Sequence, residues 1–204
     1  MLHLSVVLVH SDETMITKTG FSKQLEDFPV YKQETDHTCG PASARMILEF
    51  LGDKEPERRL ARHCLTTPIG TLNYPMLWGL NHFLKKLGYK AKLLEDDPTV
   101  YDQIKESLLE GLPVLYIYST TNFFHPPKKC LHYSAVIGLD EPRDVVIVAN
   151  PFGHIEEVPF ETWWAKFSHE PDEALKLTRV LIKLRLLKPR TAFRIHAKGQ
   201  LKNA

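Results

Sequence analysis

Cysteine is scarce: the chain has three in 204 residues, Cys39, Cys64 and Cys130. An odd, sparse set excludes a disulfide framework and suits a reducing, cytoplasmic setting. Also missing is any run approaching the ~20 apolar residues that a membrane helix needs, so no membrane span is expected. The opening MLHLSVVLVHSDE has a short apolar stretch with no basic residues ahead of it and acids soon after, which reads as a strand rather than an export signal. Net charge is nearly absent at +1, which removes a global electrostatic commitment to nucleic acid or lipid. Neither GxxxxGK[ST] nor GxGxxG occurs, so no nucleotide cofactor is expected. Cys130-Leu131-His132 puts two metal-ligand types on one strand face. No CxxC or HxxxH accompanies it, and no metal or other cofactor is expected. Repeats and low-complexity segments are likewise missing. The charge that is present is unevenly placed: Ala174 to Ala204 carries nine Lys and Arg and no acid.

Apolar spacing supplies the elements. Residues 4–9 (LSVVLV) are a β-branched strand candidate, and residues 11–30 carry little pattern. From Gly40 the period turns helical, with Ala44, Ile47, Leu48 and Leu51 on one face, Pro41 in the first turn and Gly52 as the stop. Further helices are expected over 55–65, over 74–87 with Lys85, Lys86 and Gly88 at its end, and over 98–110. Strands are expected at 89–94, 113–119, 132–140, 145–150 and 177–186, with a short aromatic helix at 159–167. In that helix Trp163 and Trp164, beside Phe160 and Phe167, read as core. Helices dominate the first half and strands the second, which indicates an α+β fold with an antiparallel sheet. Residues 1–188 are expected to form a single domain and 189–204 a basic, flexible tail able to touch an acidic surface.

The stretch with chemical content is Gln33-Glu-Thr-Asp-His-Thr-Cys39-Gly40-Pro41-Ala42. A lone cysteine is ordinarily core packing. Cys39, however, stands where a helix begins, and unpaired N–H groups at a helix start favour thiolate over thiol. Gln33 lies six residues upstream; its amide and the Cys39 backbone N–H would supply two donors for an oxyanion formed in acyl transfer. His37 is too close in sequence to face Cys39 across a cleft, so the base must come from elsewhere. Among ten histidines, His132 stands out because it begins a strongly apolar strand. The next strand ends at Asn150-Pro151, and the short turn between the two strands makes a hairpin. His132 and Asn150 are therefore expected as cross-strand neighbours, with the Asn150 amide orienting the imidazole. His63-Cys64 reads as packing and His154 as surface.

Taken together, Q-E-T-D-H-T-C-G-P-A before a helix, then G-L-P-V-L-Y (111–116), H-Y-S-A-V-I-G-L-D (132–140) and V-A-N-P-F-G (148–153), resemble the papain-like bacteriocin-leader-processing peptidases in their stand-alone form. The resemblance covers about Phe28 to Phe167. It implies a papain-like α+β fold, with the nucleophile helix of a helical N-terminal half packed on a C-terminal antiparallel sheet. It also implies a bacterial cysteine peptidase with Cys39 as nucleophile, His132 as base, Asn150 as orienting residue and Gln33 as oxyanion donor. The family usually has Asp-Pro where this chain has Asn150-Pro151; an Asp at 150 is expected to remain active and to raise the His132 pKa. The membrane helices and nucleotide-binding domain of the transporter-linked members are not in the sequence. The expected partner is a peptide or protein substrate. Acyl transfer, amidase or deamidase chemistry on the same residues, or a scaffold that binds peptide without turnover, are the alternatives.

Overall fold

In the computed structural model, residues 16, 18–122, 128–168, 180 and 188–199 are described. The chain lays down β1 (Ser22–Gln24), α1 (Cys39–Phe50), α2 (Glu57–His63) and α3 (Asn73–Leu84), which runs out through a 3-10 turn at Lys85–Leu87. Next come β2 (Tyr89–Leu94), α4 (Val100–Leu109), β3 (Val114–Asn122), β4 (Lys128–Asp140), β5 (Val145–Asn150), β6 (His154–Pro159), α5 (Phe160–Phe167) and β7 (Ala192–Ala197). The helix that the spacing predicts from Gly40 begins one residue earlier, at Cys39. Gly88, at φ +80°, ends the 3-10 turn in the left-handed region that favours glycine. The turn of residues 141–144 joins β4 to β5 as expected, and the register shifts at a bulge between Val136 and Gly138.

The strands form one antiparallel sheet in the order β2-β7-β3-β4-β5-β6, with β1 added to β4 beyond the end of β3. Alternation along the strands divides the side chains between two faces. On one face α1 meets Tyr133 of β4, and α3 is tied to β2 where Asn81 exchanges hydrogen bonds with the Ala91 backbone. On the other face Tyr116 of β3 packs its ring 5.9 Å from Trp163 and 5.7 Å from Phe167 of α5. Arg194 of β7 reaches Glu106 and Glu110 of α4. Trp163 and Trp164 are buried, as their spacing predicts.

One expectation is corrected. Of the residues expected as a tail, 189–199 are described and belong to the fold: 192–197 form β7, inserted between β2 and β3, with Phe193 and Ile195 fully buried. The run Ala-Phe-Arg-Ile-His-Ala does alternate, but its surrounding lysines and arginines conceal that alternation. The strand expected at 4–9 lies outside the described residues. So does the one at 177–186, apart from Val180, which is helical.

Candidate active site

Proline 151 sets up the site. It stops β5 at Asn150, so β5 accompanies β4 only over residues 135–140. Nearer its start, β4 has β3 on one side and no described strand on the β5 side. The backbone of Tyr133 on that open edge is taken up by α1. The Cys39 sulfur lies at the Tyr133 N–H, and Ser43 Oγ, one turn later, donates to the Tyr133 carbonyl at 3.3 Å. Two side chains at i and i+4 of a helix thus occupy positions that a longer β5 would have filled. Gly40 permits the approach, since a Cβ there would sit 3.2 Å from the Tyr133 ring and 3.3 Å from Met76 sulfur.

His132, the residue before Tyr133, is buried at 2% exposure. Its Nε2 lies 3.4 Å from Asn150 Oδ1, as the hairpin predicts. Phe152 stacks on the imidazole with centroids 4.6 Å apart, and Tyr118, its cross-strand partner, meets it edge-on at 5.5 Å. An amide oxygen can only accept, so Asn150 Oδ1 favours the tautomer with its proton on Nε2.

The loop that delivers Cys39 is fastened to the same turn. Gln33 N donates to Pro151 O at 2.7 Å and Lys32 bridges to Phe152. Gly153, at φ +93°, lies against Lys32, where a Cβ would be 3.3 Å from the lysine's own. Glu57 of α2, 1% exposed, accepts the Glu34 N–H at 2.9 Å, and Thr38 Oγ1 exchanges hydrogen bonds with the Thr35 backbone. Gln33 Nε2 donates to Thr35 O at 2.6 Å, while its Oε1 is buried without a partner among the described residues. The amide has a second N–H beyond the one given to Thr35.

Electrostatics correct the expectation of a favoured thiolate. Burial pushes the Cys39 thiol up to about 11, and the N–H groups of Tyr133 and Gly40 recover only part of that. Burial likewise lowers His132 to about 4, against the opposing hydrogen bond from Asn150. At neutral pH the resting site therefore holds a thiol and a neutral imidazole.

Of the remaining candidates, Cys64 is buried beside Gly79, where a Cβ would fall 2.4 Å from its sulfur. His63 stacks on His82 at 4.4 Å. His154 is exposed, as expected, and Cys130 is partly exposed. Among the described residues no group of three or more His, Cys, Asp or Glu could hold a metal ion, and no helix is long and apolar enough to cross a membrane. Sequence reasoning missed Tyr118, Phe152, Glu57 and Glu156. Phe152 sits within the V-A-N-P-F-G motif already singled out, and Tyr118 in the strand expected at 113–119. The two acids look like any other surface Glu until the fold brings them to the site.

A family model described as the Peptidase_C39 like family matches residues 25–171. A search of curated proteins finds no match. Among solved structures, the chain is similar to one assigned as a C39-like peptidase from Bacillus anthracis, with TM-score 0.59 and 16% identity, covering 87% of this chain and 98% of that one. It is also similar to the peptidase domain of Streptococcus ComA, a bi-functional ABC transporter involved in a quorum-sensing pathway. There the TM-score is 0.50 and the identity 19%, over 67% of this chain and 89% of that one. At these identities the likeness is one of fold.

Proposed function

The chain belongs to the Peptidase_C39 like family, and from that premise we propose that it cleaves a peptide bond through a thioester on Cys39, with His132, Asn150 and Gln33 as its catalytic set. The observation that carries the reading is one short piece of β4. The Nε2 of His132 is 3.4 Å from Asn150 Oδ1, and the next residue's N–H meets the Cys39 sulfur.

The chemistry follows from the protonation states. His132 Nδ1 takes the thiol proton as the sulfur attacks the substrate carbonyl carbon, while Asn150 Oδ1 keeps the other imidazole proton on Nε2. Deprotonating Cys39 in advance would be uphill. Burial raises the Cys39 thiol and lowers the His132 imidazole, so both shifts oppose a separated thiolate and imidazolium. Proton transfer therefore accompanies attack. The resulting oxyanion is met by the Cys39 N–H and by the second N–H of Gln33. The imidazolium then protonates the leaving amine, and water, activated by the same imidazole, hydrolyses the thioester and frees the thiol.

The test is turnover of a peptide library by wild type, Cys39→Ala and Gln33→Ala, followed by mass spectrometry. Wild type should show cleavage and an acyl adduct on Cys39, and Cys39→Ala neither. Gln33→Ala should lose on the order of 10²–10³ in kcat, the usual cost of one oxyanion donor. Cleavage that survives in Cys39→Ala would overturn the reading.

A further inference from the structure

The Asn150 amide is fully engaged at both ends. Its Oδ1 faces His132 Nε2 at 3.4 Å and accepts the Phe152 N–H at 3.1 Å. Its Nδ2 donates to Tyr118 OH at 3.2 Å and to Glu156 Oε1 at 2.8 Å. These partners leave no freedom in assigning the amide: a backbone N–H can only donate and an ionised carboxylate can only accept. Glu156 reaches Asn150 because β6 pairs Val148 with Glu156 and Asn150 with His154, making Glu156 the diagonal neighbour. Its side chain is 35% exposed and 3.9 Å from His154 Nε2, so the carboxylate keeps contact with solvent while its other oxygen serves the site.

Given the Cys39–His132–Asn150 reading, on which this rests, we propose that Glu156 is a positioning residue: its carboxylate fixes the Asn150 amide with Oδ1 toward His132, so that the imidazole carries its proton on Nε2 and presents Nδ1 as the basic nitrogen. An amide is nearly symmetric in shape, and turned over it would aim an N–H at His132 Nε2 and select the opposite tautomer. Phe152 opposes that turn with one neutral hydrogen bond. Glu156 adds a charge-assisted bond, roughly twice as strong as a neutral one. Its charge also polarises the amide, making Oδ1 a better acceptor for the imidazolium that forms during turnover. A neutral Asn backed by a carboxylate thereby supplies both the orientation and part of the electrostatic support that a directly placed carboxylate would give.

The experiment uses the full chain labelled with ¹⁵N-histidine, with the His132 ring signals assigned through a His132→Gln variant. Ring nitrogen shifts are recorded at neutral pH for wild type, Glu156→Ala and Glu156→Gln, alongside kcat and KM. Wild type should show the single Nε2–H tautomer. Glu156→Ala should show both tautomers and lose on the order of ten- to a hundredfold in kcat with KM unchanged, the equivalent of one hydrogen bond to a charged group. Glu156→Gln, whose carbonyl can still accept from Asn150 Nδ2, should keep the tautomer and recover most of kcat. Should Glu156→Ala not fold, Glu156→Met, which keeps the stem and removes the acceptor, is read in the same way. A single Nε2–H tautomer in the acceptor-less variant would overturn the proposal. The ring signals need no turnover, so absence of peptidase activity in wild type would count against the catalytic reading alone.

Discussion

Replacing Asn150 by Asp looks benign in the sequence, because the related peptidases usually carry Asp there. The structure predicts otherwise. Asn150 Nδ2 donates to Glu156 Oε1 at 2.8 Å, so Asn150→Asp sets two carboxylates face to face. At that separation the repulsion is about 6 kcal/mol at an effective dielectric of 20 and about 1.5 kcal/mol in bulk water. Glu156 is 35% exposed and can swing outward, which places the cost toward the lower bound. The lost charge-assisted hydrogen bond adds about 1.5–3 kcal/mol. A destabilisation of about 3–4.5 kcal/mol is therefore expected at neutral pH, a large part of the roughly 5–15 kcal/mol of an ordinary domain. In a Glu156→Gln background the same change should be nearly neutral, because a Gln amide can donate to the new carboxylate. Urea denaturation of wild type, both single variants and the double variant gives the coupling energy directly. It should favour the double variant by about 3–4.5 kcal/mol. The cost of Asn150→Asp should also shrink as pH falls, because like charge raises the carboxyl pKa and protonation relieves the pair. A coupling energy within about 0.5 kcal/mol of zero would refute the reasoning, since that is the scatter of independent sites.

With its thiol pushed up to about 11, Cys39 should be alkylated slowly by iodoacetamide at mildly acidic pH and faster as pH rises toward that value, read by mass spectrometry. Full-speed labelling in mild acid would instead mean a preformed thiolate–imidazolium pair. Ending the chain at Lys188 should give unfolded or insoluble protein by circular dichroism and size-exclusion chromatography. Phe193 and Ile195, both fully buried, contribute about 3–6 kcal/mol by burial alone. A soluble truncated chain with a wild-type spectrum would contradict the placement of β7. Glu141 is buried, which pushes its carboxyl up, but the Phe21 N–H, Tyr101 OH, Lys105 and the Thr19 N–H outweigh this and hold it below the usual carboxylate range. Its stabilisation is therefore complete above the unfolded pKa of about 4.3 and is lost as pH falls through the lower folded value. Glu141→Gln should cost about 2 kcal/mol at neutral pH by urea denaturation, with the gap to wild type closing in acid. A gap that persists there would show that charge is not the cause.

Local pattern determined a good deal by itself. The α1 periodicity, with Pro41 in its first turn, fixes where Cys39 stands, because a 3.6-residue repeat is written in neighbouring residues. The β4–β5 hairpin was equally legible, but the bulge between Val136 and Gly138, which turns Asn150 to the face of His132, was not. Only tertiary structure decided the rest. β7 joins the sheet between β2 and β3, strands that begin about a hundred and about eighty residues before it, and nothing local to residues 192–197 names those partners. Glu57 reaches the backbone of the loop that delivers Cys39, and Glu156 reaches Asn150, through packing and strand register, which no spacing rule reveals for an isolated Glu. The state of Cys39 was decided in the same way. The sequence puts it at a helix start, where exposed N–H groups favour thiolate; the fold buries it, and in a low-dielectric surrounding desolvation outweighs those dipoles.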